Sequence, residues 1–257
     1  MKAFLKAIST ALLLSLMTVF VSADTGHGWY ISKRGTGITP GFPSDSDLLS
    51  EHSCYFVDRK CAQSGEKVIY LTFDAGYENG NISRILDTLC EKDVPAAFFV
   101  LSNLIIKEHD LLKRMIDEGH LVCNHTRKHK SIPTLTEDEA REELEGLEAL
   151  CYEETGYKMP KYFRYPEGNY SKQSALMLEK MGYKTFFWSI AYADWDNEKQ
   201  PVREYAIEAL KKQTHPGAVV LLHPTSKTNA DIMGDIIDIW RSMGYRFGTL
   251  DELVARN

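Results

Sequence analysis

From Glu66 onward, short apolar runs alternate with amphipathic segments along the chain. The apolar runs predict seven strands, at Lys67–Phe73, Ala96–Leu101, Leu121–Asn124, Lys161–Arg164, Lys184–Ile190, Ala218–His223 and Arg246–Gly248. The amphipathic segments predict six helices, at Ile82–Lys92, His109–Glu118, Glu137–Thr155, Lys172–Met181, Val202–Gln213 and Asp231–Met243. Strands that alternate with helices favour right-handed βαβ units and a parallel sheet. We therefore predict an α/β fold, a distorted (β/α) barrel of about seven parallel strands, with an open doubly wound sheet as the alternative.

The first of these strands ends at a carboxylate. Val68–Phe73 carries no charge, as expected of a parallel strand covered on both faces, and the run stops at Asp74. Gly76 and Gly80 then allow backbone angles closed to other residues, so Asp74 lies where the chain turns outward. We interpret Asp74 as a catalytic carboxylate, and the alternative is a cap for the helix that starts near Ile82.

The first 23 residues have the features of a secretory signal peptide. Two lysines precede an apolar run from Ala7 to Val21, and small residues occupy the cleavage positions up to Ala23. The run of about fifteen residues is shorter than the roughly 20 that a spanning helix needs, and a retained membrane anchor is the alternative. We predict that residues 1–23 are removed and that the protein is exported without a stable membrane span. Residues 24–65 are then an N-terminal extension, and residues 66–257 form the main domain.

The composition limits the possible functions. The chain has 257 residues, 44% hydrophobic and 26% charged, which is ordinary for one soluble domain with a single core. The net charge of −6 argues against nucleic acid as the main partner, because phosphate binding needs a basic face. No Gly-x-Gly-x-x-Gly pattern follows the first strand, so nucleotide binding is not indicated.

The five cysteines are an odd number, so a complete set of disulfides is impossible. Cys54 and Cys61 are close in sequence and could close a small loop. Cys90, Cys123 and Cys151 lie in apolar helix or strand contexts, and we expect them to pack in the core as small hydrophobic side chains.

Functional side chains of parallel sheets gather at the carboxyl ends of the strands. The polar and aromatic residues expected there are Asp74, His125, His129, Arg164, Asp194, Trp195 and His223. His125 and His129 have the i, i+4 spacing that places two imidazoles on one face of a helical turn, where they could bind one cation.

The remaining charged residues suggest pairs. Arg164 could hold the carboxylate of Asp74 ionised and oriented through a fork of hydrogen bonds. Asp194 could fix the tautomer of His223 and raise its pKa, so that the imidazole can act as an acid. A capping turn with a packed indole is the alternative for Asp194 and Trp195, and a surface position is the alternative for Arg164.

Five blocks resemble, in order and spacing, the motifs of the polysaccharide deacetylases, which are carbohydrate esterase family 4 with a NodB-like barrel. The blocks are Thr72-Phe-Asp-Ala-Gly76, His125-Thr-Arg-Lys-His129, Phe163-Arg-Tyr-Pro-Glu-Gly168, Asp194-Trp195 and Leu221-Leu-His223. The resemblance covers about Glu66 to the C-terminus. Further likeness at Tyr77-Glu-Asn-Gly80 and Ser226-Lys-x-Asn-Ala230 is to the branch that de-N-acetylates muramic acid during muramic δ-lactam formation in spore cortex.

This resemblance implies a metal-assisted hydrolysis of an N-acetyl group on peptidoglycan glycan strands by a protein that we expect to be a monomer. Asp74 would be the general base, held by Arg164, and His223, oriented by Asp194, would protonate the leaving amine. His125 and His129 would hold a divalent metal such as zinc. The substrate-binding positions implied by the same motifs are Arg127, Tyr165, Glu167, Trp195 and Leu221.

One position departs from the family pattern. Ala75 stands where the family has an acidic metal ligand, and its methyl group cannot bind a cation. Three outcomes are open: a weakly held metal completed by water and substrate, which we favour, a replacement ligand such as Glu78 or Asn79, or hydrolysis with little help from metal. The basic residues Arg127, Lys128 and Lys130 could supply a cationic partner for the lactyl carboxylate of muramic acid, or could simply be solvated.

Two alternatives to a muramic acid deacetylase follow from the same residues. Within the enzymes, a deacetylase of chitin or N-acetylglucosamine polymers is the nearest competitor. Outside them, a barrel without its third metal ligand could be a catalytically impaired protein that only binds glycan. Retention of Asp74, Arg164, Asp194 and His223 argues against pure binding, because a binding protein needs no acid and base.

Overall fold

The computed structural model describes residues 26–257. The predicted signal peptide, residues 1–23, lies outside these residues. The strands are β1 His27–Gly28, β2 Cys54–Tyr55, β3 Val68–Ala75, β4 Ala97–Val100, β5 Leu121–Asn124, β6 Tyr162–Phe163, β7 Asn169–Tyr170, β8 Lys184–Phe186, β9 Ala218–Leu222 and β10 Arg246–Gly248. The helices are α1 Ser46–Glu51, α2 Arg59–Ser64, α3 Ile82–Glu91, α4 Ser102–Lys107, α5 His109–Asp117, α6 Glu137–Thr155, α7 Lys172–Lys180, α8 Arg203–Gln213, α9 Lys227–Ser242 and α10 Leu250–Arg256. Short 3-10 turns occupy Ile132–Thr134 and Pro166–Gly168.

Eight strands form one curled parallel sheet, which confirms the predicted α/β fold of distorted-barrel type. The order is β10-β3-β4-β5-β6-β8-β2, and β9 also pairs with β3. A parallel bridge between Ile190 and Val220 joins the segment after β8 to β9, so the sheet curls back towards its first strand. β3 is central because it pairs with β4, β9 and β10. All seven predicted strands belong to this sheet.

Helices cover the outer face of the sheet. The main core cluster joins the apolar sides of β3, β4 and β9 to those of α3, α8 and α9, and it includes the fully buried Phe73, Phe98 and Trp240. The predicted helix at Glu137–Thr155 has the bounds that its sequence indicates, because Thr136 and Glu139 form a capping box and Gly156 ends it at φ 73°. α9 begins at Lys227 instead of Asp231, because the Ser226 side chain caps it.

The N-terminal extension is built into this fold. β2 adds a parallel strand beside β8, and β1 pairs with β7 in a separate antiparallel ladder. Trp29 is buried, its ring stacks on Phe187 with centroids 4.4 Å apart, and its indole N–H donates to the Trp188 carbonyl. The sequence did not indicate these strands, because each is only two residues long.

The cysteines of the extension do not close a loop. Cys54 and Cys61 are both buried, free thiols. The Cys61 thiol donates a 3.0 Å hydrogen bond to the carboxylate of Asp58. Of the other three, Cys123 and Cys151 are buried as expected, whereas Cys90 is exposed on α3, contrary to the expectation of core packing.

No helix among residues 26–257 is both long enough and apolar enough to span a bilayer.

Candidate active site

A cavity of about 760 Å³ opens at the carboxyl ends of β3, β5 and β9. Seven residues singled out in the sequence line it: Asp74, His125, His129, Glu167, Trp195, Leu221 and His223. The other lining residues are Ile31, Gly168, Trp188, Ala191, Tyr192 and Ala193. The strand ends therefore bring together side chains that are far apart in sequence, as expected of a parallel sheet.

The Asp74 carboxylate is held by a buried arginine. Arg164 is fully buried, and its Nη1 donates to Asp74 Oδ1 at 2.9 Å while its Nε donates to the Phe186 carbonyl. The guanidinium also lies 4.2 Å from the centre of the Phe99 ring. Burial by itself raises the pKa of the Asp74 carboxyl, but the charge and hydrogen bond of Arg164 and the charge of His223 outweigh it, and the net pKa lies below its usual value. Asp74 is therefore ionised at neutral pH.

His223 is fixed by the carboxylate of Asp194. Its Nδ1–H donates to Asp194 Oδ1 at 2.7 Å, which leaves Nε2 for the cavity. Asp194 is buried, and its Oδ2 accepts from the backbone N–H of His223 and from Asn229 Nδ2. Burial lowers the pKa of His223, but the hydrogen bond and charge of Asp194 raise this pKa by more than burial lowers it, so the net shift is upward. His223 is thus arranged to carry a proton on Nε2.

Asn229 is a site residue that sequence reasoning did not single out by role. Its amide Nδ2 donates to Asp194 Oδ2 at 2.6 Å and to the His223 carbonyl at 3.0 Å, and its Oδ1 accepts from the Tyr192 hydroxyl. The available signal was the Ser226-Lys-x-Asn-Ala230 block, which follows His223 and opens α9.

The two histidines of the second block lie together, but not on a helical turn. The chain after β5 is a loop in which Thr126 and His129 take φ values of 68° and 57°. This corrects the expectation of a helical turn, although the ring centres are 5.1 Å apart. His125 Nδ1 lies 2.9 Å from the Arg164 carbonyl, which can only accept, so Nδ1 carries the proton and Nε2 has the free lone pair. Burial lowers the pKa of His125 to about 4, which keeps the ring neutral.

These imidazoles fit a divalent cation only in part. A neutral histidine whose other nitrogen is hydrogen-bonded to a carbonyl is a typical metal ligand. No group of three or more histidine, cysteine, aspartate or glutamate side chains suited to a metal occurs within residues 26–257. Ala75 is buried in the apolar core. Glu78 accepts from the Ile82 N–H at the start of α3, and Asn79 donates to the Thr225 carbonyl, so the structure brings neither proposed replacement ligand to the cavity.

Two of the predicted substrate-binding residues are not at the cavity. Tyr165 is fully buried, and its hydroxyl lies 2.9 Å from Ser174 Oγ. The side chain of Arg127 lies over Gly146 of α6. Lys130 pairs with Glu143 of the same helix at 3.1 Å. Arg127 and Lys130 therefore lie against α6 and are not among the residues that line the cavity.

Comparisons with known proteins identify the family of this chain. A family model described as polysaccharide deacetylase matches residues 62–186. A curated relative is 36% identical over 209 residues, which cover 81% of this chain and 78% of that protein. The chain belongs to the polysaccharide deacetylase family and is a deacetylase of carbohydrate esterase family 4.

That relative is the peptidoglycan-N-acetylmuramic acid deacetylase PdaA of Bacillus subtilis (strain 168). The solved structure of Bacillus subtilis PdaA, a family 4 carbohydrate esterase, matches with a TM-score of 0.84 and 33% identity, over 91% of this chain and 98% of that one. The peptidoglycan-N-acetylglucosamine deacetylase PgdA of Listeria monocytogenes serotype 1/2a (strain 10403S) is 33% identical over 187 residues, covering 73% of this chain and 39% of that protein.

Proposed function

We propose that this protein removes the acetyl group from N-acetylmuramic acid residues of peptidoglycan. The observation that carries the proposal is that Asp74 and His223 line one cavity, each held by a buried charged partner. The choice of peptidoglycan and of muramic acid is supported by the activity in the name of the relative PdaA. The motif likeness to the spore-cortex branch supports a role in muramic δ-lactam formation, outside the cytoplasm in the cell envelope.

The reaction begins with a water molecule near Asp74. The ionised carboxylate takes a proton from this water as its oxygen attacks the acetamide carbonyl carbon, which is general base catalysis. Arg164 keeps the carboxylate ionised and oriented, because it donates a hydrogen bond to Oδ1. Oδ2 then faces His125, whose Nε2 lies 3.7 Å away. The product of this step is a tetrahedral intermediate.

Collapse of that intermediate needs an acid. His223 Nε2 gives its proton to the sugar nitrogen as the C–N bond breaks, so acetate and a free amine leave. Asp194 stabilises the imidazolium form before this transfer and fixes the ring through Nδ1. His125 and His129 would hold a divalent cation, which would supply a Lewis acid for the acetamide carbonyl.

One observation favours a second candidate, an N-acetylglucosamine deacetylase. No lysine or arginine is among the cavity-lining residues of the described chain, whereas Glu167 is, so a free lactyl carboxylate would find no cationic side chain other than an imidazole there. N-acetylglucosamine has no such carboxylate. The relative PgdA is named for action on that sugar.

Acetate release from defined glycans tests both candidates. The substrates are muramic-containing glycan strands with stem peptides, the same strands without them, and chitin oligomers, each with wild-type protein and with Asp74→Asn as the blank. We expect the highest kcat/KM on a muramic-containing strand, and mass spectrometry should place the free amine on muramic acid. Faster release from chitin oligomers would instead assign the protein to N-acetylglucosamine. Binding of strands without any release would assign it to glycan binding.

A further inference from the structure

The loop that carries His129 is attached to α6 along its length. Asn124 Nδ2 donates to the Leu144 carbonyl at 2.8 Å, and the Arg127 N–H donates to the Glu143 carbonyl at 3.0 Å. The Lys128 N–H donates to Glu143 Oε2 at 2.8 Å. Lys130 Nζ lies 3.1 Å from Glu143 Oε1. Three of these four contacts end on the same residue of α6.

Glu143 is unusual for its place in the helix. It is only 3% exposed and shares the inner face of α6 with Ala140, Leu144 and Leu147. An apolar side chain would normally occupy such a position, because burying a carboxylate is unfavourable unless it is paired and hydrogen-bonded. Here both carboxylate oxygens are used, one by the loop backbone and one by Lys130. The interactions of this acid are therefore with the loop.

His129 depends on its backbone more than His125 does. The His125 ring is buried and fixed by the Arg164 carbonyl. The His129 ring is exposed, and no side-chain hydrogen bond holds it within the described part of the chain. Its own φ of 57° is one that residues other than glycine rarely adopt without support from their surroundings. The orientation of this imidazole therefore follows from how firmly the peptides on either side are held.

We propose that Glu143 is the positioning residue for His129. Its carboxylate fixes the Lys128 peptide and Lys130, the residues on either side of His129, and so directs the imidazole into the cavity. This inference rests on the proposed function, since it gives His129 a role at the reacting acetamide. It also accounts for the basic residues between and after the histidines, two of which serve attachment to α6.

Substitutions at Glu143 separate positioning from general packing. Glu143→Leu removes both acceptors at similar volume, Glu143→Gln keeps an acceptor for the Lys128 N–H, and Lys130→Met removes only the ion pair. Glu142→Gln is the matched control, because Glu142 is the exposed neighbour on the same helix. The first readout is the imidazole Cε1–H signals in NMR spectra of the metal-free protein, assigned by His→Gln substitutions among its eight histidines.

We expect Glu143→Leu to shift or broaden the His129 signal while those of His125 and His223 stay in place. Lys130→Met should shift the same signal by less, and Glu142→Gln should leave all signals unchanged. The proposal is overturned if the His129 signal stays in place in both Glu143→Leu and Lys130→Met. It is also overturned if all three signals move together with a general loss of structure in Lys130→Met, the milder change.

Acetate release provides the second readout. Loss of a residue that orients a ligand imidazole typically lowers activity about 10- to 100-fold, so Glu143→Leu should lower kcat by that factor with little change in KM. Glu143→Gln should recover most of it. Equal kcat for Glu143→Leu and wild type would contradict the proposal. The NMR comparison uses neither substrate nor metal, so it judges Glu143 even if the protein proves not to be a deacetylase.

Discussion

Two carboxylates, the buried Asp58 and the largely buried Asp74, are each paired with an arginine, yet their surroundings differ. Asp58 lies near the amino ends of β3 and β9, where Oδ1 accepts from the Cys61 N–H and Oδ2 accepts from Tyr70 and the Cys61 thiol. Arg256 Nε lies 2.8 Å from the same Oδ2. Asp74 lies at the other end of β3, and Arg164 donates to only one of its oxygens.

The difference shows how one kind of side chain serves stability or chemistry. Both oxygens of Asp58 accept hydrogen bonds from protein donors, so this carboxylate joins the extension, β3 and α10. It has no free oxygen with which to contact a substrate. Asp74 has one oxygen fixed and one facing His125 at the cavity, where no hydrogen-bond donor from residues 26–257 reaches it. A half-filled carboxylate at a cavity is therefore the better sign of catalysis than burial or an arginine partner.

The largest effect expected from this comparison is on activity at Asp74. Asp74→Asn keeps an acceptor for Arg164 but removes the general base, so kcat should fall by roughly 10²–10⁴-fold. Acetate release under saturating substrate measures this. A loss of less than tenfold would mean that Asp74 is not the base.

The matching change at Asp58 should affect stability instead. Asp58→Asn removes the charge that faces Arg256 and replaces the acceptor Oδ2 by an amide N–H donor, so the donors that pointed at Oδ2 lose this acceptor. We expect the free energy of unfolding to fall by about 1–3 kcal/mol. Urea denaturation measures it, and kcat should stay near the wild-type value. A fall in kcat comparable to that of Asp74→Asn would erase the distinction between the two carboxylates.

The stabilising effect of Asp58 should also depend on pH in a defined direction. Burial raises its pKa, but hydrogen bonds from Cys61 and Tyr70 and the charge of Arg256 lower it more, so the folded-state pKa lies below the usual 3.8. A carboxyl whose pKa is lower in the folded state stabilises the protein above its unfolded pKa. This stability is lost as the pH falls through the folded value. The difference in unfolding free energy between wild type and Asp58→Asn should therefore shrink below pH about 4.

Asp194 refines the comparison, because both of its oxygens accept hydrogen bonds from the protein although it belongs to the active site. It acts through His223, whose pKa it raises above the usual 6.5. The plot of kcat/KM against pH should therefore fall on the basic side as His223 loses its proton, at a pH above that value. Asp194→Asn removes the raising charge, and we expect the basic limb to move to lower pH. An unmoved limb would assign the acid to another group.

The smallest effect is expected where the extension meets the cavity. Trp29 N–H bonds to the Gly168 carbonyl, and a Cβ at Gly168 would come within 2.7 Å of the Trp188 ring, so this turn beside Glu167 has little freedom. Trp29→Phe keeps the stacking on Phe187 but loses the indole donor to Trp188. We expect about 1 kcal/mol less stability and a KM raised severalfold with kcat unchanged. An unchanged KM would show that the extension only stabilises the fold.

The sequence predicted the sheet and the positions of its functional ends well, because apolar runs are local signals and strand ends share one edge of a parallel sheet. It failed where distant contacts decide. The i, i+4 spacing of His125 and His129 suggested a helical turn, but Glu143, Leu144 and Ser102 hold this segment as a loop. The Arg127 side chain lies over Gly146 of α6 and does not line the cavity. No sequence pattern near His125 and His129 could have indicated that Glu143 of α6 contacts this loop.

The place of β2 has a consequence for how small the folding unit can be. A chain that started at Glu66 would leave the outer edge of β8 without its neighbour and the Tyr70 hydroxyl without Asp58. Unpaired strand edges recruit strands from other molecules, so such a fragment should self-associate. The autonomous unit of this enzyme therefore begins upstream of the barrel motifs.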